Sequence, residues 1–156
     1  IGARRAAALG LPGPTVLASG RRLYPDSQRV MGWDVRDSGF QIVLDRSVPD
    51  VVSRWMRDDV DAFLAPSGLR RADITTWIAH PGGPKVLSAF EEALETPPGA
   101  LDLTWASLRD VGNLSSSSVL FVLRDTLAQR PPPPGSHAMM LALGPGFCSE
   151  LLLLEG

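Results

Sequence analysis

The spacing of apolar residues changes several times along the chain, and each change marks an element. Thr15 to Ser19 (TVLAS) and Phe40 to Leu44 (FQIVL) are short runs rich in β-branched and aromatic residues, which predicts two strands. Gly20 to Ser38 between them is polar and turn-rich, with Pro25, Asp26 and Gly32. Val52, Trp55, Met56, Val60, Phe63 and Leu64 then recur with the 3.6-residue period, while Arg54, Arg57, Asp58 and Asp61 take the opposite face. Ser47 stands where a cap belongs, with Asp50 three residues later and Pro49 in the first turn, so the helix starts at Ser47 and stops before Pro66-Ser67-Gly68. Its tryptophan and methionine are core residues on this reading.

Ile74 to Ala79 (ITTWIA) is the next strand, and it ends at His80-Pro81-Gly82-Gly83-Pro84. A helix follows from Pro84 to Glu95, with Val86, Leu87, Phe90 and Leu94 as its buried stripe. Thr96 to Gly99 is a loop, Thr104 to Val111 a short helix, and Gly112 its left-handed cap. Ser115 to Ser118 and Val119 to Leu123 predict a helix whose first half is buried, small side chains permitting close backbone approach. Pro131 to Pro134 with Gly135 form a stiff exposed turn, for which a proline-rich ligand is a second reading. Ala138 to Leu143 and Phe147 to Leu154 are two strands around Gly144-Pro145-Gly146, a hairpin. Strands alternating with helices place the chain in the α/β class.

Length and composition narrow this further. The chain has 156 residues, 44% of them hydrophobic and 21% charged, which suits a single globular domain over residues 1–156 with residues 1–14 as a surface connector. A formal net charge of −2 recommends neither nucleic acid nor an anionic membrane as a partner. No apolar run approaches the ~20 residues of a membrane span. Cys148 is the one cysteine, so no intrachain disulfide forms, no Cys/His cluster has metal spacing, and a reducing cytoplasmic setting is expected. The start, Ile1-Gly2-Ala3-Arg4-Arg5, is broken too early by glycine and proline to be a targeting segment; a chain cut from a larger protein is the expectation.

Three places could carry chemistry. His80 ends an apolar strand, where α/β folds open onto a crevice; Gly82 and Gly83 remove side chains beside it, and the helix from Pro84 aims free amides at the same place. A histidine at a strand end also serves purely structural ends. Asn113 either caps the helix that follows it or donates its amide into a pocket. Gly144-Pro145-Gly146 by itself is an ordinary turn.

Together these strings are more specific. Trp77-Ile78-Ala79-His80-Pro81-Gly82-Gly83-Pro84, Gly112-Asn113-Leu114-Ser115-Ser116 and Gly144-Pro145-Gly146-Phe147 occur in the order, and His80 and Asn113 at the separation, of type III polyketide synthases, the chalcone-synthase-like family. The resemblance runs from about Met31 to Glu155 and is strongest to bacterial members that make alkylpyrones or alkylresorcinols. It implies the C-terminal half of the layered αβαβα thiolase-like fold. It also implies an acyltransferase that condenses acyl-CoA with malonyl-CoA without a cofactor or metal, in a homodimer of intact subunits. His80 and Asn113 would be the two neutral donors to the enolate oxygen. Less firmly, Ser115, Gly144 and Pro145 would line the cavity, Gly82, Gly83 and Lys85 would lie near the CoA, and Ile42 would stand where plant relatives have a gatekeeping phenylalanine. Lys85 is equally well a solvated first-turn lysine.

The family's nucleophilic cysteine lies well upstream of the histidine, in an N-terminal half that this sequence does not contain. Cys148 is expected to be a buried core cysteine, and this chain alone is expected not to form an acyl-enzyme. The rival readings are a catalytically incomplete domain that binds CoA thioesters or a partner, and a carrier-protein ketosynthase.

Overall fold

The computed structural model describes residues 2–10 and 13–156. The elements in chain order are α1 (Ala3–Ala8), β1 (Thr15–Leu23), β2 (Met31–Arg36), β3 (Gly39–Leu44), α2 (Val48–Leu64), β4 (Ile74–Ala79), α3 (Pro84–Leu94), α4 (Asp102–Asp110), α5 (Ser118–Gln129), β5 (His137–Gly144) and β6 (Cys148–Glu155). Four strands form one sheet in the order β1-β6-β5-β4, and β2 and β3 form a separate hairpin. β6 runs antiparallel to both β1 and β5, whereas β4 and β5 are parallel.

Side chains of β4, β5 and β6 alternate between two helical layers, as the two-residue period of a strand requires. Trp77, Ala79, Met139, Leu141, Leu151 and Leu153 pack against Val52, Met56, Val60 and Leu64 of α2 and Leu87, Phe90 and Leu94 of α3. Ile78, Ala138 and Leu154 point the other way, onto Val119 and Val122 of α5. The sheet is therefore covered on both faces, and its central strands read as nearly continuous apolar runs. Phe90 has no exposed surface, and burying a side chain of that size stabilises the fold by about 2–3 kcal/mol. Gly20 of β1 lies under α2: a Cβ there would lie 2.6 Å from the ring of Phe63. Arg57 and Arg71 donate to the carbonyl oxygens of Ala93 and Leu94, at 3.0 and 2.8 Å, and so tie the end of α3 to its neighbours.

Several sequence expectations need correction. Within residues 1–14, read as a surface connector, Ala3–Ala8 is helical; Ile1, Leu11 and Pro12 of that segment lie outside the described residues. The first strand does not stop at Ser19 but runs to Leu23, because pairing with β6 continues from Gly20 opposite Leu151 to Leu23 opposite Cys148. The turn-rich reading of Gly20 to Ser38 also hid β2. Ser47 does not cap α2 with its side chain; its own amide donates to Asp45 Oδ1 at 2.9 Å, and the Val51 amide donates to the Ser47 carbonyl at 3.1 Å. Ser115, Ser116 and Ser117 are exposed in a single tight turn, and burial begins only at Ser118, so the helix is amphipathic after all. In the proline run, Pro132 is buried while its three companions are exposed.

Candidate functional site

β4 and β5 are parallel, so their C-terminal ends open on the same side of the sheet. Pairing continues one residue past β4: the His80 amide donates to the Leu141 carbonyl at 2.9 Å. The chain then turns at once, with the Gly82 amide donating back to the His80 carbonyl at 2.8 Å, before α3 starts at Pro84. The His80 side chain is half-buried, and burial pushes its pKa below the ordinary histidine value. At neutral pH it is an uncharged imidazole, able to donate one N–H. A Cβ on Gly83 would meet open space, so nothing in the described residues blocks approach to the turn there. Lys85 is exposed in the first turn of α3.

Asn113 arrives from the other side. Gly112, at φ 82°, ends α4 in the left-handed conformation, with its amide shared by the carbonyls of Ser107 and Leu108. The carboxamide of Asn113 then donates through Nδ2 to the Gly82 carbonyl at 3.2 Å, while its Oδ1 accepts from the Ser115 amide at 2.9 Å. One residue thus ties the His-Pro-Gly-Gly turn to the serine run. The cap reading is half right, since Oδ1 does serve the turn that leads into α5. Asn113 and Ser115 are both exposed.

The third string is the β5–β6 hairpin turn. Gly144 faces the Cys148 sulfur, and a Cβ there would lie 3.0 Å from it. Pro145 is exposed, whereas Phe147 is fully buried with Tyr24 and Val48, and with Val86 of α3 and Met31 of β2 at the edge. Val86 also lies 3.5 Å from where a Gly82 Cβ would be, so the hairpin turn and the histidine turn share a neighbour.

Ile42 sits on β3 opposite Trp33 of β2, 58% and 53% exposed. Residues directly opposite in an antiparallel pair share a face, and Trp33 also meets Phe40 edge-on, with centroids 6.3 Å apart. Phe40, Val35 and Leu44 complete a solvent-facing apolar surface. Sequence reading missed Trp33, although Met31, Trp33 and Val35 alternate with Gly32, Asp34 and Arg36 ahead of a turn at Asp37-Ser38-Gly39. It also missed the buried carboxylate of Asp59, which accepts from both Arg22 and Tyr24. Burial, then the bond to Asp59, pushes the Tyr24 hydroxyl pKa up.

Cys148 is half-buried at the start of β6, not enclosed in the core as expected, because its neighbours are the turn and the last residue of the edge strand β1. Burial and the Glu150 carboxylate push its thiol pKa up, so it is a thiol at neutral pH. A cleft of about 640 Å3 lies at the opposite end of β4, beside Ile74 and Trp77, and a smaller one of about 330 Å3 lies between β1 and α2; neither includes His80 or Asn113. The Asn113 carboxamide lies instead against the main chain of Gly82, two residues after the half-buried His80. Among the described residues, no group of three or more His, Cys, Asp or Glu is placed to hold a metal ion, and no helix is long and apolar enough to cross a membrane.

Residues 15–156 match the family described as chalcone and stilbene synthases, C-terminal domain. A 1,3,6,8-tetrahydroxynaphthalene synthase of Streptomyces peucetius subsp. caesius is 52% identical over 142 residues, covering 91% of this chain and 38% of its own. A putative chalcone synthase of Bacillus subtilis (strain 168) is 37% identical, with 91% and 39% covered. The crystal structure of 1,3,6,8-tetrahydroxynaphthalene synthase from Streptomyces coelicolor A3(2), a bacterial type III polyketide synthase, superimposes with a TM-score of 0.85 at 27% identity, over 92% of this chain and 41% of that one. The C-terminal type III polyketide synthase domain of Steely1 from Dictyostelium gives 0.82 at 28%, over 92% and 40%. The chain thus spans about two fifths of the length of these relatives, and its fold is thiolase-like. Motif, topology and similarity agree, and the chain belongs to the chalcone and stilbene synthase family, over its C-terminal domain.

Proposed function

We propose that this chain supplies the oxyanion-stabilising half of a type III polyketide synthase that extends an acyl-CoA starter with malonyl-CoA. In that reaction malonyl-CoA loses CO2, and the electron pair of the broken C–C bond moves onto the thioester as an enolate. The enolate carbon attacks an enzyme-bound acyl thioester; the new C–C bond forms as the C–S bond breaks, and the thiolate leaves. Negative charge develops on the enolate oxygen, so uncharged donors aimed at it lower the barrier, and removing one costs about 3 kcal/mol.

His80 and Asn113 are those donors. The observation that carries the reading is the bond from Asn113 Nδ2 to the Gly82 carbonyl, which holds the carboxamide two residues from His80 and leaves its second N–H free of that bond. The depressed pKa of His80 supports the same role, since a neutral imidazole donates without needing a counter-charge. Asn113 is exposed, and the remainder of a longer subunit would cover it and bring the nucleophilic cysteine. Lys85 would meet CoA phosphate, Ser115, Gly144 and Pro145 would line the cavity, and Ile42, smaller than the phenylalanine of plant relatives, would admit a longer acyl chain. The intact enzyme would be a cytoplasmic homodimer needing no cofactor.

A chimera tests this. Residues 15–156 replace the matching region of the Streptomyces peucetius synthase, and the product is assayed with acyl-CoA and malonyl-CoA. Condensation products that disappear in both His80→Ala and Asn113→Ala variants are expected. A folded chimera that binds CoA thioesters and makes no product would favour a binding domain instead.

A further inference from the structure

The Gly144-Pro145-Gly146 turn is held by a segment that has no place in the chemistry above. Residues 24–30 join β1 to β2 and, with Met31 of β2, run along the turn, bonding to it at successive points. The Tyr24 amide donates to the Phe147 carbonyl at 2.9 Å, and the Gly146 amide donates to the Met31 carbonyl at 2.9 Å. Between them lies Ser27, 7% exposed. Its hydroxyl accepts from the Phe147 amide at 3.0 Å and donates to the Tyr24 carbonyl. Those two bonds use its one proton and one of its lone pairs on main-chain groups of two different segments. The Tyr24 ring stacks on Phe147 with centroids 5.5 Å apart, closing the contact to water.

The same segment also holds the β2–β3 hairpin. Met31 is the first residue of β2, and the Val30 carbonyl accepts from the Asp45 amide, just past β3, at 2.8 Å. The turn and the strand carrying Ile42 are therefore fastened to one short piece of chain. We infer that Ser27 is a positioning residue: by bonding the Phe147 amide it fixes the Gly144–Gly146 turn relative to the hairpin that presents Ile42. On the synthase reading proposed above, on which this consequence rests, Ser27 sets the spacing of two cavity walls. It thereby selects which extended acyl chains are released, without touching the reacting atoms.

Threonine and valine at position 27 have nearly the same volume and differ in the hydroxyl, so their comparison separates the bond from packing. In the 156-residue protein, hydrogen exchange at the Phe147 amide should be about tenfold faster in Ser27→Val than in Ser27→Thr. In the chimera, the ratio of products per malonyl-CoA consumed should shift in Ser27→Val and stay as in the parent in Ser27→Thr. Equal exchange in the two variants overturns the clamp. Unequal exchange with identical product ratios overturns its bearing on the cavity. A parent chimera without products counts against the synthase reading, and the exchange comparison still decides the clamp.

Discussion

Asn113 donates from its carboxamide to the carbonyl oxygen of Gly82 at 3.2 Å, across 31 residues of sequence. The bond fastens the loop after α4 to the turn after β4, and its geometry depends on an uncharged side chain that donates through nitrogen while Oδ1 accepts from Ser115. An aspartate could keep only the second half of that arrangement.

Loss of this residue should therefore be felt in the chemistry. In the chimera, Asn113→Ala is expected to slow decarboxylation of malonyl-CoA by about a hundredfold or more. Asn113→Asp should be no better, because a carboxylate beside a developing negative charge repels it. Release of CO2 measures the rate; variants within about threefold of the parent would remove Asn113 from the reaction.

The folded state holds His80 below its ordinary pKa of 6.5 through burial. The unfolded chain accepts the proton more readily, so this group's contribution is constant above pH 6.5 and stability falls as pH drops from there toward the lowered folded value. Denaturant melts at about pH 7.5 and about pH 5.5 should show a loss in the parent that is smaller in His80→Gln. The same loss in both proteins would mean that the imidazole is no more desolvated than in the unfolded chain.

Cys148 should stay unmodified. Its thiol is half-buried, its sulfur lies 3.7 Å from the Pro145 carbonyl, and its pKa is pushed up. Only the thiolate is a competent nucleophile, so incubation of the 156-residue protein with an acyl-CoA near neutral pH should give no adduct by mass spectrometry. A stable acyl group on Cys148 would make the chain its own acceptor.

Two aromatic residues should behave oppositely. Phe90 is fully buried between α2, α3 and the sheet, and Phe90→Ala should cost about 3–5 kcal/mol in a denaturant melt. Trp33 is half-exposed on the hairpin, and Trp33→Ser should change that stability by less than about 1 kcal/mol. It should nevertheless reduce self-association seen by light scattering, because Trp33, Val35, Phe40, Ile42 and Leu44 form one apolar face. A parent protein that stays monomeric at high concentration would contradict this.

Local signals were strong where a segment obeys one period or carries Gly and Pro at a change of direction. β4 ends at Ala79 and α3 begins at Pro84, as an apolar run followed by Pro-Gly-Gly-Pro demands. The left-handed Gly112 and the Gly-Pro-Gly hairpin were equally plain. The later half of β1 was not, because Gly20-Arg21-Arg22 has no alternation of its own and becomes strand only by pairing with β6. Ser47 looked like a cap, yet its side chain bonds to no amide of the first turn, and its own amide donates to Asp45 Oδ1.

For the site, sequence alone determined which side chains are candidates and which chemistry they suit, since residue type and spacing carry donor character and motif order. It could not determine that Asn113 bonds to the main chain beside His80, that Ser27 bridges the Gly144–Phe147 turn, or that Asp59 is buried under Arg22 and Tyr24. Those relations join residues dozens of positions apart, and only the packing of α2, α3 and α5 on the sheet brings their backbones within hydrogen-bonding reach.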